Sequence, residues 1–249
     1  MNFLKTSILF LLVVITASIS AQTAKEIITK ADNIARGTTS YAEVTITTVR
    51  PKWSKEMKMK IWSKGSDYSA SLVTSPAKEK GSVFLKRKTE VWNYVPSIER
   101  TIKLPPSMMM QNWMGTDMTN DDLVKQSSIV VDYTHKIIGE EKVIDLDCWK
   151  LELTPKEDAA VVWGKIIIWV DKTNFMQLKI EFYDEDNFLI NQLLAFNPKK
   201  FGSRTLPSKI EYIPVEKENQ KTVIEYSKWK FDVKIPDNYF TSRYMKRLK

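Results

Sequence analysis

Apolar and polar residues alternate along most of this chain with a period of two. In "YAEVTITTV", Val44 and Ile46 fall on one side and Glu43, Thr45 and Thr47 on the other; "EMKMKIW" separates Met57, Met59 and Ile61 from Lys58 and Lys60. That is the period of a pleated strand with one buried face. The pattern returns in "GSVFLKR", "EVWNYVP", "ERTIKL", "DYTHKIIGEEKV", "DCWKLELTP", "MQLKIEFYD", "LPSKIEYIP" and "KTVIEYSKWKF". Turn-forming runs such as Lys64-Gly65-Ser66-Asp67, Asp184-Glu185-Asp186-Asn187 and Asn197-Pro198 separate these segments at short intervals. Short strands joined by short turns predict an antiparallel meander, not a βαβ arrangement.

Two stretches break the alternation. In "AQTAKEIITKADNIARGTT", Ile27, Ile28, Ala31, Ile34 and Ala35 recur at helical spacing and Gly37 follows as a stop, which predicts a helix with one apolar stripe. The second stretch is "PPSMMMQNWMGTDMTNDDLV". Pro105 and Pro106 cannot donate to a sheet and end the strand before them. A short helix is predicted from Ser107 to near Gly115, and another capped by Thr119, with Asp121 and Asp122 in its first turn. Five of the ten methionines lie here, at positions 108, 109, 110, 114 and 118. Three consecutive methionines cannot share one buried helical stripe. The insertion therefore reads as a lid or docking element with soft, repackable side chains, against the alternative of a plug in one end of the sheet.

The first 21 residues carry one cation, Lys5, then the apolar run Ile8 to Ile15 and small residues ending in Ala21. The run is too short to span a bilayer and has the flanks of a secretory signal peptide cleaved near Ala21. Residues 22–249 are then expected to form a single domain located in the periplasm. The formal net charge is +8, and "SRYMKRLK" gathers Arg243, Lys246, Arg247 and Lys249 at the end. For an exported chain, such charge points to lipid headgroups sooner than to nucleic acid, or else to a solvated tail.

Candidate chemistry is sparse. There is one histidine, His135, and one cysteine, Cys148, so no internal disulfide forms and a His/Cys zinc site is excluded by count. No nucleophile elbow, phosphate-cradling glycine loop or His-Glu-x-x-His is present. The acidic groups in "GTDMTNDDL" and "DEDN" lack the pattern of a calcium loop and read as a helix cap and a hairpin turn. The chain is expected not to be an enzyme and to need no cofactor or metal. The apolar inventory says more: "VVWGKIIIWV" is apolar on both parities, which fits either two-layer packing or a strand with core on one side and a cavity on the other.

The run "GSVFLKRKTEVWNYVPSIERTIKLPPSMMMQNWMGTDMTNDDLVKQSSIVVDYTHK" resembles the signature segment of the LolA-like outer-membrane lipoprotein-sorting family, and "DAAVVWGKIIIWVDK", "EFYDED" and "MKRLK" extend the likeness over nearly all of residues 22–249. The resemblance implies a mainly β fold: an unclosed antiparallel β-barrel around an N-terminal helix and a short helical insertion. It also implies membership of the subgroup associated with exporters of the resistance-nodulation-division type. The function it implies is a periplasmic carrier that binds acyl chains of lipoproteins or free lipids in an apolar cavity and delivers them toward the outer membrane. An inner-membrane exporter and an outer-membrane acceptor are the candidate donor and recipient, and the chain is expected to act as a monomer. The alternative is a periplasmic adaptor that docks an exporter or envelope protein through its methionine-rich insertion. On this reading Met57, Met59, Trp92 and Tyr94 are assigned to cavity walls, and Met108, Met109, Met110, Trp113 and Met114 to the lid. In the relatives an early-strand arginine holds the closed state; Arg50 in "TTVRPKW" is the nearest counterpart, with no role transferred.

Overall fold

The computed structural model describes residues 22–124, 128–159 and 161–248. The segment expected to be a signal peptide, residues 1–21, lies outside the described residues. A helix α1 (Ala24–Arg36) opens the chain. Thr23 caps it reciprocally with Glu26: the Glu26 amide donates to the Thr23 hydroxyl and the Thr23 amide to the Glu26 carboxylate. This capping box satisfies two of the amide donors that a helix start leaves free. Gly37, with φ of 69°, stops the helix in a conformation few other residues adopt, and its amide closes on the carbonyl of Asn33.

Six strands follow as a meander: β1 (Thr39–Arg50), β2 (Trp53–Lys64), β3 (Tyr68–Ser75), β4 (Val83–Arg87), β5 (Glu90–Val95) and β6 (Arg100–Leu104). After the methionine-rich insertion, with its short helices α2 (Asn120–Val124) and α3 (Ser128–Val131), seven more run in order. They are β7 (Tyr133–Val143), β8 (Leu146–Pro155), β9 (Lys165–Asp171), β10 (Gln177–Tyr183), β11 (Leu189–Phe201), β12 (Arg204–Pro214) and β13 (Lys221–Phe231). All neighbours are antiparallel, and β13 returns to pair with β1. The sheet order is therefore β6-β5-β4-β3-β2-β1-β13-β12-β11-β10-β9-β8-β7, thirteen strands that do not close. Its two unpaired edges, β6 and β7, are consecutive in sequence, and the insertion is the chain that joins them. Register shifts at Glu43/Val44, Lys58/Met59 and Phe182/Tyr183 are bulges that sharpen the twist and let so wide a sheet curl.

The curl sets the inner face against α1. Ile27, Ile28 and Ala31 meet Ala42, Val44 and Ile46 of β1, Met57 and Met59 of β2, and Leu151, Leu153, Ile166, Ile168, Val170, Ile180 and Phe182 across β8 to β10. The outer face carries two smaller clusters. Cys148, Ile167, Trp169, Met176 and Leu178 form one. This accounts for the double-sided apolarity of β9: Ile166, Ile168 and Val170 face the main core, and Ile167 and Trp169 face a packed outer layer in place of a cavity. The ammonium groups of Lys150 and Lys179 stand over the Trp169 ring, at 4.7 and 4.3 Å from its centroid, in cation–π contact, and pair with Glu141 and Glu181. The second outer cluster seats Phe240, Met245 and Leu248, after β13, on Trp62, Leu72, Val83 and Leu85.

Helix α1 touches the sheet through few large side chains, so each carries much of the contact. Ile28→Ala is expected to lower unfolding free energy by about 2–5 kcal/mol, the usual cost of a cavity at a fully buried isoleucine; urea denaturation followed by tryptophan fluorescence measures it.

Candidate functional site

The insertion does not form the predicted helix over 107–115. Two short 3-10 turns, Pro106–Met108 and Trp113–Gly115, stand in its place. Met114 (φ 46°) and Gly115 (φ 80°) are both left-handed, which no helix continues through. The chain instead doubles back. The Trp113 amide donates to the Met118 carbonyl at 2.7 Å, Asn120 to Gln111 at 2.9 Å, and Asp121 to Met109 at 3.0 Å. The second predicted start is present: Thr119 and Asp122 cap one another at 2.8 and 3.0 Å at the head of α2.

This loop drops Trp113 and Met118 into the main core, the Trp113 ring meeting Phe84 edge-on with centroids 5.5 Å apart. Met114 packs partly on the same core. The three consecutive methionines separate as their geometry requires: Met108 is half-buried, Met109 is buried against Val91 and Leu104, and Met110 is 66 % exposed. Met57 and Met59 lie on the inner face beside Trp113 and Met118. Trp92 and Tyr94 do not join them. Their partners across the ladder are Leu85 and Val83, and all four face outward under the C-terminal segment. The four assigned wall residues therefore occupy two opposite faces, because β5 enters the sheet with Val91 and Asn93 inward, a parity that an alternating apolar strand does not reveal by itself.

Two polar tethers hold the loop. At one, the Arg50 guanidinium at the end of β1 forms an ion pair with Asp117 at 3.0 Å and donates to the Gly115 carbonyl at 2.9 Å and the Val49 carbonyl at 2.8 Å. Asp117 also receives the Thr222 hydroxyl at 2.7 Å, while its amide donates to that hydroxyl at 2.9 Å. Both charges are withdrawn from water, with side chains 12 % and 1 % exposed. At the second tether the Asp122 carboxylate accepts from the Tyr212 hydroxyl at 2.9 Å, the Thr119 amide at 2.8 Å and the Trp163 indole at 3.4 Å. Burial outweighs these three donors and pushes the Asp122 carboxyl above the usual carboxylate range. The Tyr212 phenol is raised well above its ordinary value by burial and then by Asp122; that of Tyr133, which donates to the Trp163 carbonyl, is raised by burial and then by Asp121.

The single histidine and the single cysteine do not come together. His135 stands opposite Leu153 on the β7–β8 ladder and Cys148 opposite Glu141, well apart along the strands. The His135 ring nitrogen contacts the Ile129 carbonyl at 2.6 Å, and burial pushes the Cys148 thiol up to about 11. Among the described residues no three His, Cys, Asp or Glu side chains are grouped to hold a metal ion, and no helix is long and apolar enough to cross a membrane. Sequence reasoning missed Asp117, Thr222 and Tyr212. Asp117 reads locally as one of a group of capping acids, and nothing in "TNDDL" or "IEYIP" announces that Asp122 and Tyr212 will meet.

The mainly β fold, an antiparallel sheet that does not close with few helices, is LolA-like. A LolA superfamily protein from Nitrosomonas europaea superposes with a TM-score of 0.76 at 28 % identity, covering 90 % of this chain and 100 % of that one. An outer membrane lipoprotein-sorting protein domain from Vibrio parahaemolyticus gives 0.80 at 22 % identity, over 90 % and 98 %. A DUF1329 family protein from Desulfovibrio piger gives 0.82 at 23 %, over 89 % and 97 %. Residues 65–247 match a family model described as "Uncharacterized protein", and the chain belongs to that family. No curated protein matches it.

Removing one partner of a buried ion pair strands the other. Arg50→Leu is expected to cost about 3–5 kcal/mol and to speed proteolysis between residues 105 and 124, with Arg50→Leu/Asp117→Asn recovering part of the loss; chemical denaturation and timed digestion check both. Asp122 supplies a pH signature. Its folded pKa lies above the unfolded one, so the native state binds the extra proton and the burial penalty applies fully only above the folded pKa. Lowering the pH through the carboxylate range should raise the stability of the wild type relative to Asp122→Asn, a trend read from paired urea titrations at neutral and acidic pH.

Proposed function

We propose that this chain is a periplasmic carrier that takes acyl chains of lipoproteins or other lipids onto the inner face of its sheet and delivers them toward the outer membrane, without chemistry. The observation that carries this reading is the insertion itself. It joins the two unpaired edges of an open sheet and covers an apolar trough with Trp113 and Met118, and it is pinned at two polar points. Such a cover is removable as a unit. An acyl chain can take the place of Trp113 and Met118 against Met57, Met59, Val73 and Phe84, where flexible thioethers adapt to chains of different length.

The energies allow the exchange. Burying a dozen methylenes is worth about 10 kcal/mol in gross transfer free energy. Lifting the cover returns both charges of the Arg50–Asp117 pair to water and gives up the burial of Trp113 and Met118, about 1.5–3 kcal/mol for each large apolar side chain, so cargo binding can open the cover and an acceptor with a better site can let it close. In this scheme Arg50 is the latch, Met57 and Met59 belong to the wall, and Met108, Met109, Met110, Trp113 and Met114 belong to the lid; Trp92 and Tyr94 serve the outer face. Donor and recipient are an inner-membrane exporter, of the resistance-nodulation-division type implied by the sequence resemblance, and an outer-membrane acceptor.

The exposed Met110 favours a second reading, in which the insertion docks a partner protein while the sheet stays filled. A fluorescent fatty-acid probe separates the two. Under the carrier reading the wild type binds the probe, Asp117→Asn loosens the latch and tightens apparent affinity several-fold, and Met110→Asp has little effect. Native mass spectrometry of protein from its own envelope should then show a co-purifying acylated species. Probe binding that ignores every change in the insertion, beside loss of a captured partner in Met110→Asp, would sink the carrier and leave the adaptor.

A further inference from the structure

We propose that the C-terminal segment and the β5–β6 hairpin form a site for the phosphate-bearing headgroup of an anionic phospholipid, by which the outer face of the sheet docks on a membrane surface. The site lies on the face opposite the insertion, and the inference does not rest on the carrier reading.

The basic run at the end of the chain is not a loose tail. Phe240, Met245 and Leu248 are buried on Trp62, Leu72, Val83 and Leu85, with short 3-10 turns at Asp237–Phe240 and Met245–Arg247. Fixing Met245 and Leu248 inward leaves Arg243, Lys246 and Arg247 to line an open groove of about 500 Å³ together with Trp92, Thr101 and Ser242. That size suits a headgroup.

The charges in this groove are surplus. None of the residues that line it is acidic, and Glu90 and Asp237 are engaged elsewhere, with Lys103 at 2.5 Å and Lys64 at 2.7 Å. Among the described residues, Arg243, Lys246 and Arg247 enter no ion pair, and the Lys246 ammonium stands 5.8 Å from the Tyr94 ring. Two guanidinium groups with their forked donors, beside the hydroxyls of Thr101 and Ser242, match the oxygens of a phosphate. A free phosphate would need nothing more. The Trp92 ring in the same groove, and Ile98 at the turn of the same hairpin, 55 % exposed, add the aromatic and apolar contacts of a protein seated at headgroup level.

The experiment is co-sedimentation of the chain, recovered from the envelope fraction of expressing cells, with vesicles of phosphatidylglycerol in phosphatidylcholine and with phosphatidylcholine alone. Each cation near an anionic surface contributes about fivefold in affinity, so Arg243→Glu/Arg247→Glu should lose roughly twentyfold or more on the anionic vesicles. A charge-matched pair at exposed positions, Lys200→Glu near the end of β11 and Lys217→Glu between β12 and β13, should lose less than about threefold, and rising salt should weaken the wild type. Arg243→Gln/Arg247→Gln serves if the reversal variant does not fold. Equal losses in the groove and matched pairs, or equal binding to both vesicles, would overturn the proposal. So would binding of inorganic phosphate without binding of vesicles, which marks a free-phosphate site. A fatty-acid probe, titrated without vesicles, should bind the groove variants as it binds the wild type; joint loss of probe and vesicle binding would overturn the assignment of a separate outer site.

Discussion

An antiparallel sheet that curls without closing has an apolar inner face and two unpaired edges, and both must be managed by the same chain. The main consequence in this protein is the placement of the insertion. Because β13 pairs with β1 at the middle of the sheet, the edges are β6 and β7, and only the segment between them can reach both. A loop in that position covers the inner face beside α1. It closes the core while leaving the sheet itself open.

How that loop is held follows from its length and composition. Between residues 105 and 119 it has only three-residue 3-10 turns, too short for a continuous apolar stripe, so its burial there rests on Trp113 and Met118 and on two polar anchors. Polar anchors in a dry interior are stiff when intact and costly when half broken. The Arg50–Asp117 pair and the Asp122–Tyr212 contact therefore fix the loop at two points, Asp117 and Asp122, five residues apart. Their positions at the end of β1, the start of β13 and the end of β12 tie the cover to the central strands and away from the fraying edges.

The outer face solves a different problem with the same means. Trp169 lies under the ammonium groups of Lys150 and Lys179, and the tail lays Phe240, Met245 and Leu248 over β2 to β4. Burying Met245 and Leu248 leaves Arg243, Lys246 and Arg247 exposed between and beside them, which fixes the place of these cations on the outer face.

The period-two alternation and the helical spacing of Ile27, Ile28 and Ala31 determined the element types, and the observed strands and α1 follow them closely. They did so because strand and helix periods are local properties, written in which residues must leave water. The separation of Met108, Met109 and Met110 was legible for the same reason: consecutive side chains cannot point one way. Which face of β5 looked inward was not legible, since Val91, Trp92 and Tyr94 make both parities apolar, and that choice depends on register with β4. Nor could the helix expected over 107–115 be excluded locally, because the return of the chain through Met114 and Gly115 answers to contacts with Phe84 and Arg50, distant in sequence. Arg50, Asp117 and Thr222 stand at three separate places along the chain and become one anchor only when β13 comes back to β1. Sequence by itself wrote the strands and the helix; tertiary structure decided which faces meet and which charges are buried together, because those depend on pairing between segments far apart in the chain.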